Sequence, residues 1–327
     1  MQISTYNIIN KTRDIISSLS RRLIIDIGNC YDSIFISGSA RSGTTWLQEI
    51  INFDNEYRIM FEPFHPKKVE CINDWKYFQY IRVNDESEKY LIPMEKILRG
   101  KLRNSWVDRL NKKHFTKTRI LKAIHANLFL FWMKNHFPKI PIILIIRHPC
   151  AVANSKINIA SDFFRNTINP LERFLTQREL MEDFLSPFES DIREAKTNFE
   201  TYIFMWCIEN FVPLKLFQPG EIHVTFYENL CIKPEDEVKK IFSFLGKSFS
   251  PNIMNQIIQP SVMSKKGSAV NTGDDLISSW RNYINQEEIV RAVEILNLFD
   301  LDILYNNHDL PISNNEEVLK LFNYVSK

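Results

Sequence analysis

Apolar runs of strand length recur along the chain at Ser33 to Ser37, Ile59 to Phe61, Arg119 to Ala123, Ile140 to Ile146 and Ile222 to Phe226. Between them lie stretches with apolar residues at helical spacing, such as Trp46-Leu47-x-x-Ile50-Ile51. Strands alternating with helices predict an α/β fold with a central parallel sheet and helices on both faces. At the amino terminus, Ile8 to Ile25 has helical apolar spacing with Lys11, Arg13, Arg21 and Arg22 among it. It predicts a helical segment over residues 1–30, either packed on the domain or lying in a membrane interface.

A chain of 327 residues with 44% hydrophobic content can bury a large core, and no repeat or low-complexity block divides it. The 41 basic and 39 acidic side chains leave a net charge of +2, so no global field argues for nucleic acid as a partner, and anion recognition has to be local. The longest apolar runs are too short to span a bilayer and no basic-then-apolar leader opens the chain, so we expect a cytoplasmic protein without integral membrane association. Five scattered cysteines with no C-x-x-C pair point to reduced structural thiols and to no metal site.

Candidate chemistry concentrates at the ends of two predicted strands. After the first, Gly38-Ser39-Ala40-Arg41-Ser42-Gly43-Thr44-Thr45-Trp46 runs from strand to helix with glycines at the spacing of a phosphate loop. Such a loop surrounds an anion with backbone N–H groups and a helix N-terminus. The position that carries Lys in a nucleoside triphosphatase is Thr44 here, and the cation comes earlier, at Arg41. A guanidinium with Ser42, Thr44 and Thr45 hydroxyls around it suits an anion held directly, without an obligatory metal. After Ile146, the strongest strand delivers Arg147-His148-Pro149, and Pro149 is suited to the first turn of a helix that carries Ser155. This aims Arg147 out of the sheet end, where ligands of α/β proteins gather. His148 lies inside that turn and is expected to shape it.

Together these clusters resemble the sulfotransferase family, whose members use 3′-phosphoadenosine-5′-phosphosulfate. Arg41-Ser42-Gly43-Thr44-Thr45-Trp46 is similar to the family's 5′-phosphosulfate motif, and its Arg is closer to carbohydrate and protein-tyrosine members than to cytosolic ones. Arg147 and Ser155, eight positions apart, resemble its 3′-phosphate motif. Phe226-Tyr227-Glu228-Asn229-Leu230 is similar to a family segment that would place Tyr227 near the adenine. Lys265-Lys266-Gly267 with the later Trp280-Arg281 resembles the basic loop that closes over the 3′-phosphate, although the family's version commonly starts with Arg. The resemblance implies a P-loop NTPase-like sulfotransferase fold as one domain over residues 1–327. It also implies sulfuryl transfer to a hydroxyl or amine of a carbohydrate, lipid or small-molecule alcohol, with adenosine 3′,5′-bisphosphate as product and no metal requirement.

Arg41 is placed to stabilise charge on the bridging oxygen of the donor. For the general base, Glu62 in Phe61-Glu62-Pro63-Phe64-His65 stands first, since carbohydrate and protein-tyrosine members look similar there and desolvation by Phe61 and Phe64 would raise its pKa. His125 stands second. Cytosolic members place a His after a Lys with one residue between them, whereas two separate Lys122 from His125, so an acceptor-pocket role is the alternative. His65 is weaker. Residues 67–117 and 158–199 are expected to build the acceptor pocket or a lid. Their aromatics Trp75, Tyr77, Phe78, Tyr80, Phe163, Phe164 and Phe174 can be read as stacking surfaces or as lobe core. The ten Lys or Arg against two acids between Glu95 and Lys122 can be read as acceptor steering or as solvated faces. Oligomeric state is not legible. Two other readings stay open, a P-loop nucleotide kinase-like phosphotransferase and a catalytically silent nucleotide-binding module.

Overall fold

Five parallel strands form the central sheet in the order β3-β5-β2-β6-β7, where β2 is Ser33–Ser37, β3 Arg58–Phe61, β5 Arg119–Ala123, β6 Ile142–Ile146 and β7 His223–Phe226. This computed structural model describes residues 24–159, 169–257, 259–264, 273, 275–315 and 317–325. The five predicted strands are the five strands of the sheet. The fourth begins two residues later than its apolar run because Pro141 has no N–H to donate, while its carbonyl accepts from Phe35 N at 3.0 Å. The expected segment 1–30 lies outside the described residues up to position 23. Beyond it, β1 (Ile25–Asp26) pairs with β4 (Phe115–Thr116) in a separate two-stranded sheet.

Alternate side chains of each strand enter two different cores, as the period of two requires. Phe35, Met60, Leu121, Leu144 and Ile146 face one core together with α3 (Leu130–His136), α4 (Pro149–Ile159) and α5 (Asn198–Leu216). Ile36, Ile59, Ile120, Ile143 and Ile145 face the other, with α1 (Thr44–Ile51), α6 (Tyr227–Ile232) and α7 (Pro234–Phe244). A parallel sheet covered on both faces explains why its strands read as continuous apolar runs. α5 is buried nearly all round, from Phe199 to Leu214, and starts at a capping box of Thr197 and Glu200. Trp75, Phe78, Tyr80 and Phe174 are core residues, so these aromatics form lobe interior.

Register places the chemistry. Ser37 pairs with Ala123 and Leu144, Phe61 with Lys122, and Ile146 with Phe226, so the carboxyl ends of all five strands finish at one edge. The residues that follow are the Gly38 loop, Ile124-His125, Glu62, Arg147 and Tyr227. The opposite edge is closed by buried charge. Asp26 accepts from Arg58 Nη1 at 3.1 Å and from Arg119 Nε at 3.0 Å, and Asp108 takes Arg58 Nε at 2.9 Å. Among the described residues, no helix is long and apolar enough to cross a membrane.

Candidate active site

The loop after β2 is shaped for an anion by its backbone. Gly38 has no room for a side chain, since a Cβ there would lie 2.4 Å from the Ile145 carbonyl oxygen. Arg41 and Gly43 both have left-handed backbone, with φ of 78° and 92°, and alternation of this kind turns successive N–H groups toward one point. Gly43 caps α1, and no side chain caps that helix in its place. The first-turn N–H groups of Thr44, Thr45 and Trp46 have no intrahelical acceptors, and the helix dipole adds its positive end. Ser42 Oγ is buried and has no partner, an orphaned hydroxyl inside the cradle. A tetrahedral anion fits this donor set.

A second cation is tied to the first. Arg41 Nε donates to Ser155 Oγ at 2.9 Å, and Arg147 Nη1 donates to the Arg41 carbonyl at 3.2 Å. Arg147 lies 4.2 Å over the Tyr227 ring, donates to the Leu276 carbonyl at 3.3 Å and keeps a buried Nε with no partner. No carboxylate pairs with Arg41 or Arg147 among the described residues. Burial, and then the Arg147 charge, lower the pKa of Arg41, the mark of positive charge concentrated without compensation. Such a site is completed by anions.

The turn that presents Arg147 is fastened from behind. His148 N donates to Glu228 Oε1 at 2.9 Å, Tyr305 Oη donates to Glu228 Oε2 at 2.7 Å, and Trp206 Nε1 donates to the Arg147 carbonyl at 2.9 Å. His148 accepts from Cys150 N at Nδ1 and meets the His308 carbonyl at Nε2, so its proton sits on Nε2. Burial pushes this imidazole down to about 3, and it stacks on Trp280 at 4.5 Å. Tyr227 lies beneath the loop, between Arg147 and Gly43 and edge-on to Trp46 at 5.5 Å.

A polar set that sequence reasoning missed supports the loop from below. Ser37 Oγ donates to Asn127 Oδ1 at 2.6 Å, Asn127 Nδ2 to the Glu209 carbonyl at 2.9 Å, and Asn210 Nδ2 to Ser39 Oγ at 3.4 Å. Lys156 Nζ lies 3.5 Å from Glu209 Oε1, and burial raises the pKa of Glu209. The available signal was Glu209-Asn210 standing alone in the apolar run from Ile203 to Leu214, because a charge inside an all-round buried helix needs a partner.

Glu62 ends β3 with left-handed backbone, φ 47°, and is buried. Its Oε1 accepts from Lys122 Nζ and its Oε2 from Ile124 N at 3.0 Å. His125 is three residues beyond Lys122, with Phe78, Tyr77 and His65 rings at 4.6, 5.2 and 6.2 Å. Its Nδ1 is enclosed and unpartnered, and burial pushes it down to about 3, followed by the charge of His65 and Arg173. His65 likewise falls through burial and stacks edge-on with Trp106 at 5.3 Å.

The structure therefore gathers Arg41, Ser42, Gly43, Thr44, Thr45, Trp46, Arg147, Ser155 and Tyr227 in one cluster, with Glu62 and His125 along the same sheet edge. Lys265, Lys266 and Gly267 lie outside the described residues. No group of three His, Cys, Asp or Glu poised to hold a metal is present among the described residues.

A family model described as a sulfotransferase domain matches residues 31–293. The chain is similar in structure to a sulfotransferase from Mycobacterium avium, at 10% identity over 92% of this chain and 82% of that one, with a TM-score of 0.47. A mouse sulfotransferase complexed with PAP aligns at 15% identity over 90% of each chain, TM-score 0.43. The sulfotransferase domain of the curacin biosynthetic pathway aligns at 13% identity over 84% of this chain and 99% of that one, TM-score 0.42. No curated protein sequence matches the chain.

Proposed function

Because the chain belongs to the sulfotransferase domain family, we propose that it moves the sulfuryl group of 3′-phosphoadenosine-5′-phosphosulfate to a hydroxyl of an acceptor, leaving adenosine 3′,5′-bisphosphate. The donor lies across the strand ends. Ser42, Gly43, Thr44, Thr45 and the start of α1 take the 5′-phosphosulfate, while Arg147 and Ser155 take the 3′-phosphate. Trp46 and Tyr227 stiffen the wall between them, and Lys265, Lys266 and Gly267 add charge and N–H donors to the 3′-phosphate. One observation carries this reading: Arg41 and Arg147, from loops more than a hundred residues apart, meet through the 3.2 Å bond to the Arg41 carbonyl and the 2.9 Å bond to Ser155, with no carboxylate between them among the described residues. Two joined anion sites suit one ligand with two separated phosphate groups.

In the transfer, the bond from sulfur to the bridging oxygen of the 5′-phosphate breaks as the acceptor oxygen bonds to sulfur from the opposite side. Charge grows on the bridging oxygen, where Arg41 and the α1 N–H groups hold it. The acceptor proton goes to Glu62, whose Lys122 partner keeps the carboxylate oriented, and His125 lines the acceptor chamber. Positioning and electrostatics supply the catalysis, as in phosphoryl transfer. Residues 1–327 act as one domain, and segments 67–117 and 158–199 shape the acceptor side.

The test is calorimetric binding of adenosine 3′,5′-bisphosphate, adenosine 5′-phosphate and ATP with Mg²⁺. The bisphosphate should bind tightest, and Arg147→Ala should weaken it by roughly 10- to 100-fold while leaving the 5′-phosphate nearly unaffected, as the loss of a charged hydrogen-bonding pair implies. Equal affinity for the bisphosphate and the 5′-phosphate would reject the donor assignment, and preference for ATP with Mg²⁺ would favour a kinase.

A further inference from the structure

We infer that the acceptor carries an anionic group, a carboxylate or sulfate, close to its reacting hydroxyl, and that Arg109 recognises it. The inference rests on the assignment of Glu62 and Arg41 to the transfer site.

Arg109 is held rigidly at the β3 edge. Phe61 N donates to the Val107 carbonyl at 2.8 Å, and the neighbouring Asp108 carboxylate is bound by Arg58 at 2.9 and 3.1 Å. With its backbone pinned, the guanidinium carbon sits 3.8 Å from the Phe61 centroid and 4.0 Å from that of Trp106, two rings set at 71° to each other. Two rings at such an angle confine a guanidinium but accept no in-plane hydrogen bond, so its N–H groups are left for another partner. Among the described residues they have almost none. Nε is buried with no hydrogen bond, and Nη2 meets only the Met263 thioether at 3.9 Å, a weak acceptor.

Paired arginines elsewhere in the molecule make the contrast. Arg58 and Arg119 are fully buried against Asp26 and Asp108, Arg82 is bound by Asp183, and Arg281 by Asp309. The acid that bears on Arg109 is Glu62, whose two oxygens are occupied by Lys122 and Ile124 N. Its surroundings add positive charge. Lys68 sits 5.5 Å over Trp106, and the charge of Arg173 bears on His125.

Strand order gives the geometry its direction. β3 is the edge strand, β5 lies next to it, and β2 follows. Glu62, at the end of β3, thus stands between the Arg41 loop after β2 and the Arg109 turn outside β3. A hydroxyl placed between Glu62 and Arg41 leaves the rest of the acceptor facing Phe61, Trp106 and the open edge of Arg109. The fork of N–H groups on that edge suits two oxygens of a planar carboxylate or of a sulfate, at the strength of a charge-assisted pair. A cationic chamber of this kind also concentrates anions and selects against neutral competitors.

The experiment uses two probes that differ only at C6, 4-nitrophenyl β-D-glucuronide with a carboxylate there and 4-nitrophenyl β-D-glucoside with a neutral hydroxymethyl. Their binding to the full chain is measured by calorimetry with and without saturating adenosine 3′,5′-bisphosphate. The glucuronide should bind at least about tenfold more tightly, Arg109→Gln should abolish that preference, and Arg109→Lys should retain part of it. Bisphosphate affinity should be unchanged in both variants, which also shows that they fold. Equal binding of the two probes, binding of neither, a preference that survives Arg109→Gln, or weaker bisphosphate binding in that variant would each overturn the inference. Failure of the wild type to bind bisphosphate would count against the donor reading instead, and the probe pair measured without nucleotide still reports on Arg109.

Discussion

Single residues in this site are informative chiefly through the partners they have or lack. Ser42 Oγ and Arg147 Nε are enclosed without partners, whereas both oxygens of Glu62 are taken by Lys122 and the Ile124 N–H. A buried donor without an acceptor loses its hydration for nothing unless a ligand restores it, so such atoms mark where a ligand belongs. For Glu62, Gln is nearly isosteric and cannot take a proton. Glu62→Gln should lower kcat by roughly 10²- to 10⁴-fold, the range for loss of a general base, with bisphosphate affinity within about twofold of wild type. His125→Ala should lower kcat less. Transfer of labelled sulfate to an accepted alcohol, with bisphosphate binding measured in parallel, reads both, and undiminished kcat in Glu62→Gln would move the base elsewhere. The residue types of the site were legible because a phosphate loop is written in a few adjacent positions. The pairing of Glu62 with Lys122 was not, because the two are sixty positions apart and meet only through strand register.

At the scale of elements, the turn from β2 into α1 depends on a backbone that side chains resist. Gly43 combines φ of 92° with a neighbour that forbids any added carbon, since a Cβ would lie 2.6 Å from Tyr227 Cδ2. Gly43→Ala should therefore destabilise the fold by about 1–3 kcal/mol and weaken bisphosphate binding, because the strain and the displaced ring both act on the anion loop. Gly246 is a control with φ of 64° and open space around it, and Gly246→Ala should cost only about 1 kcal/mol and leave binding intact. Denaturant unfolding and calorimetry on both variants check the pair. Periodicity located the strands well since each is a short apolar run bounded by polar residues. It placed their ends less well where one residue's chemistry intervenes, as Pro141 does at β6. From Tyr227 to Phe244 the chain is helical for most of its length. It divides into two helices, because Pro234 starts a new one at its first turn.

The whole molecule separates stability from chemistry between the two edges of its sheet. The carboxyl edge carries uncompensated arginines, while the amino edge neutralises its own through Asp26 and Asp108. Asp26 sits at 0% side-chain exposure between two arginines that are equally buried. Asp26→Ala would leave two buried cations short of a partner and should cost about 3–5 kcal/mol in unfolding free energy, while bisphosphate affinity in the protein that remains folded stays unchanged. A fall in affinity matching the loss of stability would show that the two edges are coupled.

By itself, the sequence determined the α/β class, the five core strands and the loop chemistry after the first of them, because apolar period and glycine spacing act over a few neighbouring residues. Only the tertiary structure decided which charges are neutralised and which stay open, since pairing across strands depends on register between segments far apart in the chain. Arg58, Arg109 and Arg119 look alike in a basic sequence. Packing alone gives carboxylates to the first and the last, and leaves Arg109 against Phe61 and Trp106 with its Nε unpartnered.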